Sequence, residues 1–261
     1  MCKVISIVNQ KGGCSKTTSA VNIGIGLANA GKKVVLIDAD AQGSLTASLG
    51  FQKPDELRVT LATIMAKTIN EEEIDLSKVI LHHEEGVDLV PGNIELSGLE
   101  VQLSNVLSRE LILKEFVDSL SDSYDYILID CAPSLGMMTI NALVAADEVI
   151  IPVQAAYLPV KGLQQLMKTI NMVKRRLNKK LQIDGILLAM VDYRTTFARN
   201  ISAELFTAYG ESVGIFENYI PSSIKAVEAS SAGISIYKHD PKGKVAQAYA
   251  KVTQEVLNHE N

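Results

Sequence analysis

Lys3-Val4-Ile5-Ser6-Ile7-Val8-Asn9-Gln10-Lys11-Gly12-Gly13-Cys14-Ser15-Lys16-Thr17-Thr18 is the stretch on which the fold turns. A β-branched run leads into a glycine-containing loop, and a helical pattern follows over Lys16–Ala30. Strand, loop and helix N-terminus in that order are what a phosphate cradle requires. Loop N–H groups converge on the anion and the helix dipole adds positive potential. Lys16 is placed to neutralise β/γ-phosphate charge, and the Thr17 hydroxyl to ligate Mg²⁺. The usual G-x-x-x-x-G-K-[ST] pattern is broken twice, by Gln10 and by Ser15 at its two glycine positions. What remains is a loop with an additional lysine, Lys11, at its start. If Ser15 must adopt a left-handed conformation, its Cβ costs roughly 1–2 kcal/mol. Nucleotide affinity or turnover then suffers; the alternative is that a small serine simply fits. Cys14, beside the same helix start, reads either as a stabilised thiolate sensitive to oxidation or as a small apolar filler.

Outward from this loop, short apolar runs alternate with helical patterns to the end of the chain. Strands are predicted at Lys3–Val8, Lys33–Ile37, Val87–Val90, Tyr126–Ile129, Glu148–Val153 and Ile183–Val191. Most are continuously apolar, as parallel strands covered on both faces must be. Helices are predicted at Lys16–Ala30, Ile94–Val106, Leu111–Leu120, Thr139–Ala146, Pro159–Leu177, Ala198–Tyr209 and Pro241–Leu257. The fold class is therefore α/β: a doubly wound, mostly parallel sheet flanked by helices, read as one domain over residues 1–261. The polar stretch Gln52–Glu85 reads as an insertion with a short helix near Thr60–Ala66. Acidic residues follow two of the strands, Asp38 and Asp40 after the second and Asp130 after the fourth. Each alone could be a helix cap or a loop carboxylate. Three such features in order at strand ends point instead to a phosphate and metal site. Gly24-x-Gly26 lies inside the first helix and is a packing feature rather than a dinucleotide fingerprint.

Taken together, x-K-G-G-x-x-K-T-T, Leu36-Ile37-Asp38-Ala39-Asp40-Ala41-Gln42-Gly43 and Ile127-Leu128-Ile129-Asp130-Cys131-Ala132-Pro133-Ser134 resemble the ParA/Soj family of partition ATPases. That family sits within the deviant Walker A group of P-loop ATPases, which includes MinD. Ile140-Asn141-Ala142-Leu143, Ile151-Pro152-Val153-Gln154 and His239-Asp240-Pro241-Lys242-Gly243 extend the likeness over nearly the whole chain. The resemblance implies ATP and Mg²⁺ as cofactors. It implies nucleotide contacts from Lys11, Gly12, Gly13, Cys14, Ser15, Lys16, Thr17 and Thr18, with Asp192 and Pro221 bordering the adenine. Lys11 would reach the partner's nucleotide in an ATP-closed homodimer, while Lys16 serves its own. Asp40 would position the attacking water, and Thr17, Asp38 and Asp130 would form or support the metal shell. Ala41 replaces the family's usual proline, and Ser222 stands where the family often has arginine, leaving Lys225 as the cation of that segment.

Composition narrows the rest. With 47% hydrophobic residues and three cysteines in 261, the chain is neither disordered nor a disulfide scaffold. No apolar run approaches the roughly 18 residues that span a bilayer, and Val4–Val8 is too short for a secretory signal, so a cytoplasmic home is expected. The net charge of −5 conceals an uneven distribution. Between Glu148 and Asp184 there are seven cations and no carboxylate, so that stretch carries +7 and the rest of the chain −12. Lys161, Lys168 and Arg175 recur every seven residues, opposite a face formed by Val160, Leu163, Met167, Ile170 and Leu177. With Arg176, Lys179 and Lys225 they are the candidate contacts to DNA phosphates, although a plain solvated lysine face has the same pattern. The expected function is thus an ATP-dependent partition protein that binds DNA non-specifically, associates with the nucleoid when ATP-bound, and is stimulated by a ParB-like partner. The alternatives are a nucleotide-gated DNA scaffold with little hydrolysis, motivated by Ser15, and a MinD-like membrane-cycling regulator. The second needs a basic amphipathic C-terminal helix, whereas this tail ends Asn258-His259-Glu260-Asn261 and reads as a docking helix. No membrane partner is expected.

Overall fold

In the computed structural model, which describes residues 2–154 and 159–259 (backbone alone for 159–161), the apolar runs form one sheet with helices between its strands. The chain begins β1 (Lys3–Ile7), α1 (Lys16–Asn29), β2 (Val34–Ala39) and α2 (Ser44–Ser48). A 3₁₀ turn (Pro54–Glu56) leads to α3 (Leu61–Ile69), α4 (Leu76–Val79), β3 (Leu81–His82) and β4 (Val87–Val90). Then come α5 (Glu95–Leu103), α6 (Ile112–Leu120), β5 (Tyr126–Cys131), α7 (Met137–Ala145), β6 (Glu148–Gln154) and α8 (Pro159–Arg176). The last elements are β7 (Gln182–Ala189), α9 (Thr196–Tyr209), α10 (Ile224–Ala232), α11 (Ile236–His239) and α12 (Lys244–Asn258).

The strand order is β3-β4-β2-β5-β1-β6-β7, parallel throughout except for the antiparallel β3–β4 pair at the edge. Alternation along each strand sends its side chains to two separate cores. Val4, Val35, Ile37, Ile127 and Ile129 face a layer built by α3 and α5–α9. Ile5, Ile7, Val34, Leu36 and Leu128 face α1, α2 and α10–α12. Both faces being covered, every residue of β2 and β5 is buried, which is why these strands read as unbroken apolar runs.

The predicted strands and helices all form, with ends moved by a few residues. Differences concentrate where periodicity is absent. The stretch Gln52–Glu85 is more than an insertion with one helix, because its end supplies β3, the antiparallel sheet edge. A two-residue strand has no pattern to read. The segment after Pro221 holds two helices, α10 and α11, whose starts are capped by Ser223 and Ser235. The last helix starts at Lys244 rather than Pro241, since Asp240 to Gly243 closes a turn (Gly243 N to Asp240 O, 2.9 Å). On α8 the buried stripe is Leu163, Leu166, Met167, Ile170 and Val173. Leu177, expected on that stripe, is 40% exposed. The helix has ended by then, and Asn178 turns the chain by donating to the carbonyls of Leu143, Val144 and Ala146. Val160 lies outside the residues whose side chains are described.

Candidate nucleotide site

The strand order places β2, β5 and β1 side by side, so three sequence-distant motifs leave the sheet at one edge. Ile7 pairs with Asp130, Asp38 with Asp130, and Ala39 with Cys131. Above them opens a cleft of about 540 Å³, lined by residues 12–18, by Asp40 and α2, and by Pro133 and Ser230. Ligands of open parallel sheets bind at this end.

The loop backbone is already curled. Gly13 has φ +68° and Ser15 φ 71°, ψ 24°, so Ser15 occupies the left-handed region that glycine tolerates best. Its side chain makes no capping bond to α1. Lys16 is 7% exposed and folds back so that its Nζ donates to the Lys11 carbonyl at 3.2 Å. Lys11, by contrast, is exposed and lines a neighbouring cavity of about 470 Å³ shared with Gln154, Ser134 and Gly162. Cys14 is buried, its Sγ 3.1 Å from the Lys11 carbonyl, and burial pushes its thiol up. A raised thiol is a poor thiolate, so the geometry favours the filler over the redox sensor.

The carboxylates differ in how they are used. Thr17 Oγ1 donates to Asp130 Oδ2 at 2.6 Å, while Asp130 Oδ1 is buried with no partner. Desolvation, reinforced by the nearby Asp38 charge, pushes Asp130 up to about 8. An orphaned carboxylate oxygen beside a threonine hydroxyl fits a hard divalent cation. Among the described residues no group of three or more His, Cys, Asp or Glu could hold a metal. Asp38 is fully buried and its bonds are committed within the chain. Its Oδ2 accepts from Thr46 N (2.8 Å) and Thr46 Oγ1 (2.7 Å), and its Oδ1 from Asp40 N (3.3 Å). Burial pushes its carboxyl up to about 6 against those bonds. Asp40, half-buried at the cleft, accepts Gln42 N on Oδ1 at 3.0 Å, which fixes the turn that carries it.

Asp192 and Pro221 lie at the same sheet end but away from the lining of this cleft. Main-chain pairing brings them together, Val191 N donating to Ile220 O (3.0 Å) and Ser222 N to Val191 O (3.1 Å). The Asp192 carboxylate is engaged by Arg194 through Nε and Nη2, both at 2.8 Å, and that pairing holds it down near 2. Of the candidate DNA contacts, Lys168, Arg175, Arg176 and Lys179 are exposed on or just after α8, as are Lys174 and Lys180. The Lys161 side chain lies outside those described. Lys225 sits on α10, in the opposite helical layer from α8, and its Nζ pairs with Glu228 at 2.9 Å. The cations therefore belong to two layers rather than to one helix face. Thr46, Ser48 and Ser230 escaped the sequence reading, because an isolated hydroxyl residue carries no periodic or motif signal.

A family model described as an AAA domain matches residues 2–183. The sporulation initiation inhibitor protein Soj of Bacillus subtilis (strain 168) is 40% identical over 256 residues, 98% of each chain. The chromosome-partitioning ATPase Soj of Treponema pallidum (strain Nichols) is 39% identical over 257 residues, again 98% of each. Among solved structures, one described as cobyrinic acid a,c-diamide synthase from Mycobacterium smegmatis, with bound ADP and magnesium, aligns with a TM-score of 0.85 at 33% identity. It covers 100% of this chain and 96% of that one.

Proposed function

The chain belongs to the ParA/Soj family of partition ATPases, and from that membership we propose that it is a Mg-ATP-driven segregation protein for a plasmid, chromosome or other mobile element. ATP closes a homodimer, the dimer holds DNA without sequence preference, and a ParB-like partner stimulates hydrolysis and release. The observation that carries the reading is the pairing of Thr17 with Asp130 at the mouth of the phosphate loop, with one buried carboxylate oxygen left over. Thr17 and Asp130 would hold Mg²⁺, whose positive charge screens the phosphates and draws electron density from the bond to be broken. The synthase activity in the description of the M. smegmatis structure is that protein's own; the partition reading rests on relatives that align over 98% of both chains.

Each residue then has a task. Loop N–H groups from Gly12 to Thr18 cradle the phosphates, and Lys16 exchanges the Lys11 carbonyl for β/γ-phosphate oxygens. Lys11, held outward and exposed, reaches the nucleotide of the second protomer. Asp40 orients the attacking water with its Oδ2, which has no hydrogen bond among the described residues. Asp38 supports the site from behind, holding the Asp40 turn through Asp40 N and Thr46. Asp192 and Pro221 would border the base. Lys168, Arg175, Arg176 and Lys179, with Lys161 and Lys225, supply the phosphate contacts to DNA. The exposure of Lys168, Arg175, Arg176, Lys179 and Lys225 supports that role, since a phosphate reaches them without displacing any packed side chain.

Two observations weigh on the alternatives. Membrane cycling is disfavoured because α12 has its apolar face covered, with Val245, Tyr249, Val252 and Val256 buried. A scaffold with little turnover is favoured only by the left-handed Ser15. ATPase rates with and without DNA and a ParB-like protein separate the two. Lys16→Ala and Asp40→Ala should abolish phosphate release; an unchanged rate in Asp40→Ala rejects its water-positioning role. DNA binding measured with ATP, ADP and no nucleotide at two salt concentrations tests the gating.

A further inference from the structure

The cleft has a second wall, away from the phosphate loop, where α2 and α10 meet through small residues. Ser48 of α2 and Ser230 of α10 both line the cleft, and their Oγ atoms stand 2.6 Å apart. Just beyond, backbone touches backbone: a Cβ on Gly233 would lie 2.5 Å from Gly50 Cα and 2.8 Å from Gly50 N, and Gly233 has φ +72°. Glycine is required there by space and by conformation together. The near end of α2 is tied to the Asp40 turn, because Thr46 and Asp40 N share the Asp38 carboxylate. The far end of the junction is α10, which starts at Ser223 and carries Lys225. Ile224 and Val227, 71% and 63% exposed, show how far this helix stands out from the body.

A hydroxyl pair is a switchable contact. Either oxygen can donate, and either can turn instead to a phosphate oxygen or to water entering the cleft. We propose that Ser230 is a positioning residue that, through Ser48 and the Gly50–Gly233 contact, sets the placement of α10 according to nucleotide occupancy. Its effect on Lys225 and DNA rests on the function proposed above; its effect on α10 does not. Coupling of this kind is reciprocal, so DNA raises ATP affinity by the factor with which ATP raises DNA affinity.

The test uses the full chain, with Ser230→Ala removing the hydroxyl, Ser230→Thr retaining it and Gly233→Ala wedging the junction. Hydrogen–deuterium exchange of the amides of residues 224–233, with and without Mg-ATP, reads α10 directly. DNA affinity with and without ATP gives the coupling factor. In the wild type ATP should slow exchange in α10 and raise DNA affinity roughly 5–150-fold, the usual range of such couplings. Ser230→Ala should bring both effects close to none, and Ser230→Thr should restore them. Exchange in α10 that ignores nucleotide in the wild type, or a Ser230→Ala chain that keeps both wild-type effects, overturns the proposal. If α10 responds but no nucleotide state binds DNA, the DNA reading fails while the junction stands. Should Gly233→Ala not fold, the two Ser230 variants still decide.

Discussion

Ser15 holds φ 71° and ψ 24° at the first turn of α1 without a capping bond in return, so its Cβ is strained where glycine would not be. The penalty is roughly 1–2 kcal/mol. Ser15→Gly should therefore raise Tm, by about 2–4 °C per kcal/mol recovered at this chain length, and tighten ATP binding. Calorimetry and nucleotide titration check this, and unchanged values in both would show that serine is at ease there. Asp130 makes the opposite bargain. Burial lifts its carboxyl to about 8, against about 3.9 in an unfolded chain. A raised acid binds its proton more tightly when folded, so its contribution to stability is intact at low pH and drains away as pH climbs from about 4 to 8. Asp130→Asn, which cannot ionise, should melt above the wild type at pH 8–9 and level with it near pH 4, while losing Mg²⁺-dependent nucleotide binding. A Tm–pH series on both proteins without nucleotide reads the sign directly.

At the scale of elements, α2 is five residues long and owes its place to tertiary bonds rather than to helical propensity. Thr46 is its anchor: fully buried, it gives two hydrogen bonds to Asp38 and accepts one from Gly92 N at 3.0 Å. Thr46→Val keeps the shape but strips a donor from a buried carboxylate and leaves the Gly92 N–H without a partner. The expected loss is about 2–4 kcal/mol in urea unfolding, with the Asp38 carboxyl pushed higher still. None of this was visible in the sequence, where Asp38 stands out as a strand-end acid and Thr46 does not. The long elements were legible for the opposite reason. A helix such as α12 buries one face over four turns, and that leaves a periodic mark, whereas α2, α4, α11 and β3 are too short to leave one.

For the whole molecule, the charge distribution decides how DNA can be approached. A stretch carrying +7 lies in a chain whose remainder carries −12, so the DNA contact proposed above is favoured most where the C-terminal end of α8 is presented. Replacing Lys174, Arg175 and Arg176 by alanine should weaken binding equally across sequences and flatten the log K against log salt plot by about one unit for each phosphate contact removed. A slope equal to that of the wild type would return α8 to the status of a solvated face. Lys225 should contribute separately, because it is carried by the other helical layer.

The sequence alone determined the α/β class, the parallel sheet and the phosphate loop, because each is written locally, as unbroken apolar runs and as a loop motif between strand and helix. It also marked Asp38, Asp40 and Asp130 as strand-end acids. Only the tertiary structure decided what each acid is bonded to. Strand order put β2, β5 and β1 side by side, leaving Asp130 with a free oxygen and committing Asp38 to Thr46. It also decided that Ser48 meets Ser230, a contact between residues 182 positions apart. A hydroxyl's partner is set by packing between elements, and no local pattern encodes it.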